Sequence, residues 1–399
     1  MPLSHAAKWL LLVPLAGAVL AGCGALEPPP QEYPHATVTF NVTVPSDTPA
    51  DAVITVVGSE PSLGKETAPG FVLRGQGAGR YSGSLRLAVG ADVSFDVWRG
   101  DVWSPELSAD GAPVSRHTFH VDGDTAVTAT VARWGAPSKG PPQRKGLTGI
   151  IRYHRSVTSK NLPGRQRDII VYLPPDYFEQ PERRYPVLYM HDGQNLMDAN
   201  TANSGEWQVD ETAEQLIQAG SVEPVIIVGV YNTPDRIPEY TQVPDSRYGG
   251  GNADAYGRFL VEELKPMIDA RYRTRPGPED TGLAGSSLGG LVSLYLGMKY
   301  PGTFTRLGVM SPSVWWANRD IVTKVRALEA RPPLRLWVDI GTNEDTDAVP
   351  DARLLRDALV GKGWSSNDLK YMEVDGAAHN EAAWAARFGD VLRYLFPPR

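Results

Sequence analysis

TGLAGSSLGGLVSLYLG, residues 281–297, changes character at its centre. Residues 281–285 are small and apolar, as in a buried strand, and residues 288–299 continue as an apolar helical run. Two serines stand at the junction. Gly285–Ser286–Ser287–Leu288–Gly289 fits the pattern Gly-x-Ser-x-Gly with Ser287 at its centre. In the turn this pattern describes, the central serine sits in a strained strand-to-helix corner that exposes its Oγ. Side chains at the two glycine positions would strike the neighbouring strand and helix. The N–H of Leu288 falls at the start of the helix, where the dipole and a free donor favour negative charge. Glycine makes up 40 of the 399 residues, so the pentapeptide alone carries little weight. The strand before it and the helix after it supply the meaning.

Working outward, strand-like runs recur at 168–174, 186–191, 224–230, 281–285, 306–311, 334–341 and 369–374. Helix-like segments lie between several of them, at 207–219, 253–271, 288–299, 350–362 and 380–395. In 253–271, Tyr256, Phe259, Leu260, Leu264 and Met267 recur at helical steps and make one apolar face. This alternation predicts a mostly parallel sheet covered by helices on both faces. Chemistry in such sheets sits at the carboxyl ends of the strands, where Ser287 would lie.

A serine in this turn needs a base and an acid, and in this class of sheet both follow it in the chain. Of seven histidines only His379 lies beyond Ser287, in a small-residue loop between the last strand and the last helix. The acid is expected at the end of the preceding strand. LWVDIGTNEDTD offers Asp339, Glu344, Asp345 and Asp347. Asp339 lies within the apolar run, so Glu344 after the turn is preferred and Asp345 is the alternative. A second donor to a developing oxyanion is expected from MHDGQNLMD, 190–198, through the N–H of Asp192, Gly193 or Gln194. His191 and Asp192 have no third partner, so no metal site is expected there. Trp315 and Trp316 follow the strand at 306–311, and either wall a pocket or pack the next helix. Trp384 is assigned to helix packing. No phosphate loop, zinc motif or dinucleotide fingerprint is present.

The first third of the chain reads differently. Residues 1–22 hold one cation, Lys8, then an apolar run from Trp9 to Ala21 broken by Pro14, as in a signal peptide. LAGC, 20–23, matches a bacterial lipobox, which predicts cleavage before Cys23 and acylation of that residue. Several acyl chains on one residue would anchor stably. Cys23 is the only cysteine, so no disulfide is expected. Residues 23–36 read as a proline-rich tether. Residues 37–134 hold short β-branched and aromatic runs between turn residues, predicting an antiparallel β-sandwich. Residues 135–147 form a linker and 148–399 the α/β unit. The net charge of −7 and the scattered Lys and Arg argue against nucleic acid as a partner.

YPVLYMHDGQNLMD, NTPDRIPEYT, ELKPMIDARYRTRPGPEDTGLAGSSLGGLVSLYLGMKYP, SPSVWWAN, DIGTNED and GAAHNEAAWAARF together resemble bacterial α/β-hydrolase-fold esterases. That group includes siderophore trilactone esterases, feruloyl esterases, S-formylglutathione hydrolases and mycolyltransferases. The resemblance spans 148–399. It implies an α/β-hydrolase fold, the triad Ser287, Glu344 and His379, and no metal or organic cofactor. Glu in place of the more frequent Asp is a departure that keeps Asp345 open. Residues 37–134 are similar to starch-binding-module-like domains, which implies glycan contact through Trp98, Trp103 or Trp134 unless these are core residues. The expectation is an exported, lipid-anchored serine esterase of the bacterial cell envelope, at the outer membrane or periplasm. Its ester would be carbohydrate-linked, a siderophore or a small acyl ester. The alternatives are an acyltransferase with the same triad and a non-catalytic, glycan-binding surface lipoprotein.

Overall fold

The central element is an eight-stranded sheet, seen in a computed structural model that describes residues 34–63, 70–100, 102–137, 147–199 and 201–399. The signal segment, Cys23, most of the tether and most of the linker lie outside the described residues. The strands are β1 Ile150–Thr158, β2 Gln166–Leu173, β3 Val187–His191, β4 Ile226–Val230, β5 Thr281–Ser286, β6 Arg306–Met310, β7 Arg335–Gly341 and β8 Leu369–Val374. Their spatial order is β1-β2-β4-β3-β5-β6-β7-β8. β2 runs antiparallel to both β1 and β4, and every pairing from β4 to β8 is parallel. The sheet is therefore mixed at one edge and parallel through its centre.

The centre is buried on both faces. Every residue of β3, β4 and β5 is buried, which is why these strands read as unbroken apolar runs. Val187 and Tyr189 pack into one core, Leu188 and Met190 into another on the opposite face. The longer helices are α1 Val209–Gln218, α2 (Ala253–Arg258, a π turn Phe259–Leu264, then Lys265–Arg271), α3 Leu288–Lys299, α4 Trp316–Ala327, α5 Ala348–Gly361 and α6 Glu381–Leu395. β1 and α4 go beyond the expected elements. The second half of β1 is polar because only its first four residues are buried. α4 carries Ala317, Asn318 and Arg319 at positive φ, which blurs its helical period.

The described residues between 35 and 134 form a β-rich region of two sheets around one core that includes Val38, Phe40, Ile54, Val56, Phe95 and Val97. The expected antiparallel pattern needs correction, because the first strand, His35–Thr43, pairs in parallel with Thr125–Thr130. The tryptophans read as possible sugar platforms are placed differently. Trp98 is 1% exposed, so no sugar can stack on it. Trp134 packs on the core and its indole N–H bonds Thr48 Oγ1 at 2.9 Å. Trp103 is partly buried with its ring edge-on to Trp98.

A buried ion pair joins this region to the sheet. Arg152 on β1 grips both carboxylate oxygens of Glu60 at 2.6 and 3.2 Å, and each side chain is 4% exposed. Arg155 extends the seam by contacting both Asp92 at 3.4 Å and Asp168 at 2.7 Å. Removing one partner leaves a buried charge uncompensated, which costs about 3–5 kcal/mol, whereas exchanging both for apolar side chains costs far less. We therefore expect Glu60→Ala to lower the urea midpoint markedly and Glu60→Met with Arg152→Met to recover most of it. Equal midpoints for wild type and Glu60→Ala would contradict this.

Two histidines of the α/β unit are held neutral by burial. His154 Nε2 pairs with Tyr272 Oη at 2.7 Å and His191 Nδ1 with Tyr256 Oη at 2.9 Å. Burial lowers both to about 4 from the ordinary 6.5. Between these values the unfolded chain binds more protons, so the stability they contribute is complete above pH 6.5 and is lost as pH falls toward 4. A urea midpoint that stays flat from pH 7 to pH 4 would contradict that linkage.

Candidate active site

The chain leaves β5 at Ser286 and enters α3 at Leu288, so Ser287 alone makes the corner. Its backbone sits at φ 57°, ψ −123°, a conformation that costs about 1–3 kcal/mol for a residue with a Cβ. Three contacts hold it there. The Ser287 N–H donates to Met310 O at 3.1 Å, and Ser287 O accepts from the N–H of Ser313 and of Leu291, each at 3.1 Å. The flanking glycines have the predicted reason. A Cβ on Gly285 would lie 3.0 Å from the backbone of Gly289, and one on Gly289 would lie 3.3 Å from His191 Cβ. The Ser287 Oγ lies 3.2 Å from Ser313 Oγ.

β7 ends at Gly341, and the next turn brings Glu344 back beneath it. Glu344 Oε1 accepts from the Gly341 N–H at 2.8 Å and from Ser311 Oγ at 2.6 Å. Its Oε2 lies 2.6 Å from His379 Nδ1. Burial raises the Glu344 carboxyl, but the bonds from His379, Ser311 and Gly341 outweigh it and hold the group below its ordinary value. An ionised Glu344 accepts a proton bond from Nδ1, which leaves the lone pair of Nε2 directed elsewhere. Of the four carboxylates weighed from the sequence, Glu344 is the one bonded to His379. Asp345 and Asp347 are exposed at the cavity rim, and Asp339 is buried against Arg387 and Trp337.

Ser287, Glu344 and His379 line one cavity of about 540 Å³. Trp315 and Tyr248, each 46% exposed, form its aromatic side. Trp316 corrects the paired expectation. It is 1% exposed, bonds Val243 O through its indole N–H at 2.8 Å, and packs in the core behind Tyr248. Trp384 also departs from a pure packing role. Its ring meets His379 edge-on at 5.0 Å.

The loop after β3 lies against the elbow, because β3 and β5 are hydrogen-bonded neighbours. Its three candidate donors are no longer equal. The Asp192 N–H is engaged by Tyr240 Oη at 3.1 Å, and the Asp192 carboxylate is clamped by Arg236 at 2.7 Å on each oxygen. Gly193 and Gln194 open a single 3₁₀ turn, Gly193–Asn195, so their N–H groups precede its first internal bond. Leu288 holds the same place in α3. Gly193 also makes room for a neighbouring strand. A Cβ there would lie 2.6 Å from the backbone of Gly229.

The sequence reading missed the group that holds Glu344. Ser311, just past β6, has φ 39°. Its Oγ donates to Glu344 and accepts from Arg387 Nη2 at 2.6 Å and from Trp384 Nε1 at 3.1 Å. Arg387, 4% exposed, is itself anchored on Asp339 at 3.0 Å. No motif announces this cluster, since its members come from β6, β7 and α6. Ser311→Ala removes one anchor of Glu344 and leaves Arg387 and Trp384 a partner short. We expect a stability loss of about 1–3 kcal/mol and roughly 10-fold slower ester turnover. Unchanged turnover with lowered stability would restrict Ser311 to a structural part.

Residues 159–395 match the model of the family described as putative esterase. The uncharacterized protein YbbA of Bacillus subtilis is 24% identical over 251 residues, covering 60% of this chain and 95% of the relative. The endo-1,4-beta-xylanase/feruloyl esterase of Xylanibacter ruminicola is 24% identical over 243 residues, 58% of this chain and 30% of its own. The enterobactin esterase FES from Shigella flexneri shares the fold at a TM-score of 0.52 and 16% identity, over 90% of this chain and 92% of its own. The chain belongs to the putative esterase family and is an esterase.

Proposed function

We propose that the protein is a serine carboxylic-ester hydrolase in which Ser287 attacks, His379 moves the proton and Glu344 orients the imidazole. One observation carries this reading: the strained Ser287 and the Glu344-bonded His379 line the same cavity. Rotation about χ1 turns the Ser287 Oγ from Ser313 toward His379 Nε2. Nε2 takes the hydroxyl proton as Oγ bonds to the ester carbonyl carbon. The negative charge on the carbonyl oxygen is received by the N–H of Leu288 and by that of Gly193 or Gln194. Collapse of this intermediate breaks the bond to the alcohol, and His379 protonates the departing oxygen. Water then repeats the sequence on the acyl-serine and releases the acid.

The His379 side chain is 41% exposed, which leaves water a path to the acyl-enzyme. Relatives named as feruloyl and enterobactin esterases support a small-molecule ester as substrate. Tyr248 and Trp315 give the cavity an apolar, aromatic side for part of that ester.

Assays with p-nitrophenyl acetate and butyrate on protein lacking residues 1–23 test the mechanism. Ser287→Ala is expected to lose roughly 10⁴-fold or more in kcat, and Glu344→Gln roughly 10³-fold or more. Asp345→Asn is expected to lose far less than Glu344→Gln. Wild-type turnover in Ser287→Ala would refute the mechanism.

A further inference from the structure

The cavity beside Ser287 has an unbalanced charge. Four carboxylates line it, those of Glu344, Asp345, Asp347 and Asp351, and among the described residues no Lys or Arg does. Two of the four are matched. Glu344 is bonded to His379, and Asp351 to Arg319 at 2.5 Å. The other two are exposed, neither is ion-paired among the described residues, and Asp347 makes no capping bond to α5. The same cavity is lined by the exposed rings of Tyr248 and Trp315, whose centroids are 5.7 Å apart. The nearby cation Arg247 lies 5.1 Å from the Tyr248 ring centroid and is not part of the cavity wall.

We infer that this cavity selects its ester by charge: Asp345 and Asp347, with the faces of Tyr248 and Trp315, accept a cationic group on the substrate and turn away anionic esters. The inference rests on Ser287 being the nucleophile of this cavity, and it goes further by naming the charge class of the substrate. Two physical effects act together. Unpaired carboxylates in a cleft with low-dielectric walls concentrate cations and repel anions. Aromatic faces attract ammonium groups through the ring quadrupole, most strongly where water is excluded. A carboxylate-bearing ester meets both effects with the wrong sign. Among the described residues it finds no Lys or Arg along the wall to neutralise it.

Three p-nitrophenyl esters with one leaving group separate charge from reactivity. They are the esters of trimethylammoniobutyric acid, of its neutral tert-butyl isostere, and of 4-sulfobutyric acid, whose weakly nucleophilic sulfonate does not attack its own ester. At low ionic strength we expect kcat/KM for the cationic ester to exceed that for the neutral isostere by about 10-fold, and the anionic ester to fall below it by a similar factor. The cationic-to-neutral ratio should shrink toward unity in Asp345→Asn with Asp347→Asn, and in wild type at about 0.5 M sodium chloride. Equal kcat/KM for all three esters in wild type would overturn the inference while leaving the serine mechanism standing. So would a ratio that the double substitution leaves unchanged. Failure of the mechanism has a different signature: no turnover of the neutral ester, or equal turnover in Ser287→Ala.

Discussion

The geometry around the cavity depends on one unfavourable backbone conformation. Ser287 holds φ 57° without being glycine, and the surrounding elements keep it there. β6 supplies the carbonyl of Met310, α3 begins on the carbonyl of Ser287 itself, and the turn after β6 donates through Ser313. Close approach of strand and helix is possible because Gly285 and Gly289 carry no Cβ. The strain raises the Oγ above the carboxyl edge of the sheet, where the loops after β3, β6, β7 and β8 converge.

A second constraint is electrostatic. Glu344 is almost withdrawn from solvent, its side chain 2% exposed, yet it is held in the ionised direction. Burial alone would do the opposite. Bonds from a backbone N–H, a hydroxyl and an imidazole reverse the balance. The hydroxyl is itself held by Arg387, whose charge is balanced by Asp339. The carboxylate therefore lies at the end of a buried polar chain running from α6 through β7 and the turn after β6. A chain of this kind has a single low-energy arrangement, which fixes the direction of the His379 ring.

Much of this was legible in the residues. The serine corner, the histidine loop and the order of strand and helix each leave a local signature, because period and turn chemistry act over a few neighbours. Glu344 was preferred because Asp339 lies within the apolar run and Glu344 follows the turn, and Glu344 is the residue bonded to His379. Other features left no local trace. Trp315 and Trp316 are adjacent and chemically alike, but one is exposed in the cavity and the other is core. Nothing near Gly193 in the chain announces that it makes room for the backbone of Gly229. The parallel pairing of His35–Thr43 with Thr125–Thr130 joins segments far apart in the chain, and alternation within each strand does not specify its partner.

The sequence by itself determined the elements, the alternation that makes a buried parallel sheet, and the one serine, one histidine and short list of carboxylates that could act together. These follow from interactions among near neighbours in the chain. Only the tertiary structure decided which carboxylate meets the histidine, which amide donors stay free, which tryptophan faces the cavity, and that Ser311, Arg387 and Asp339 stand behind Glu344. Those outcomes depend on how strands and helices distant in sequence are brought side by side, and burial and pairing are properties of that arrangement alone.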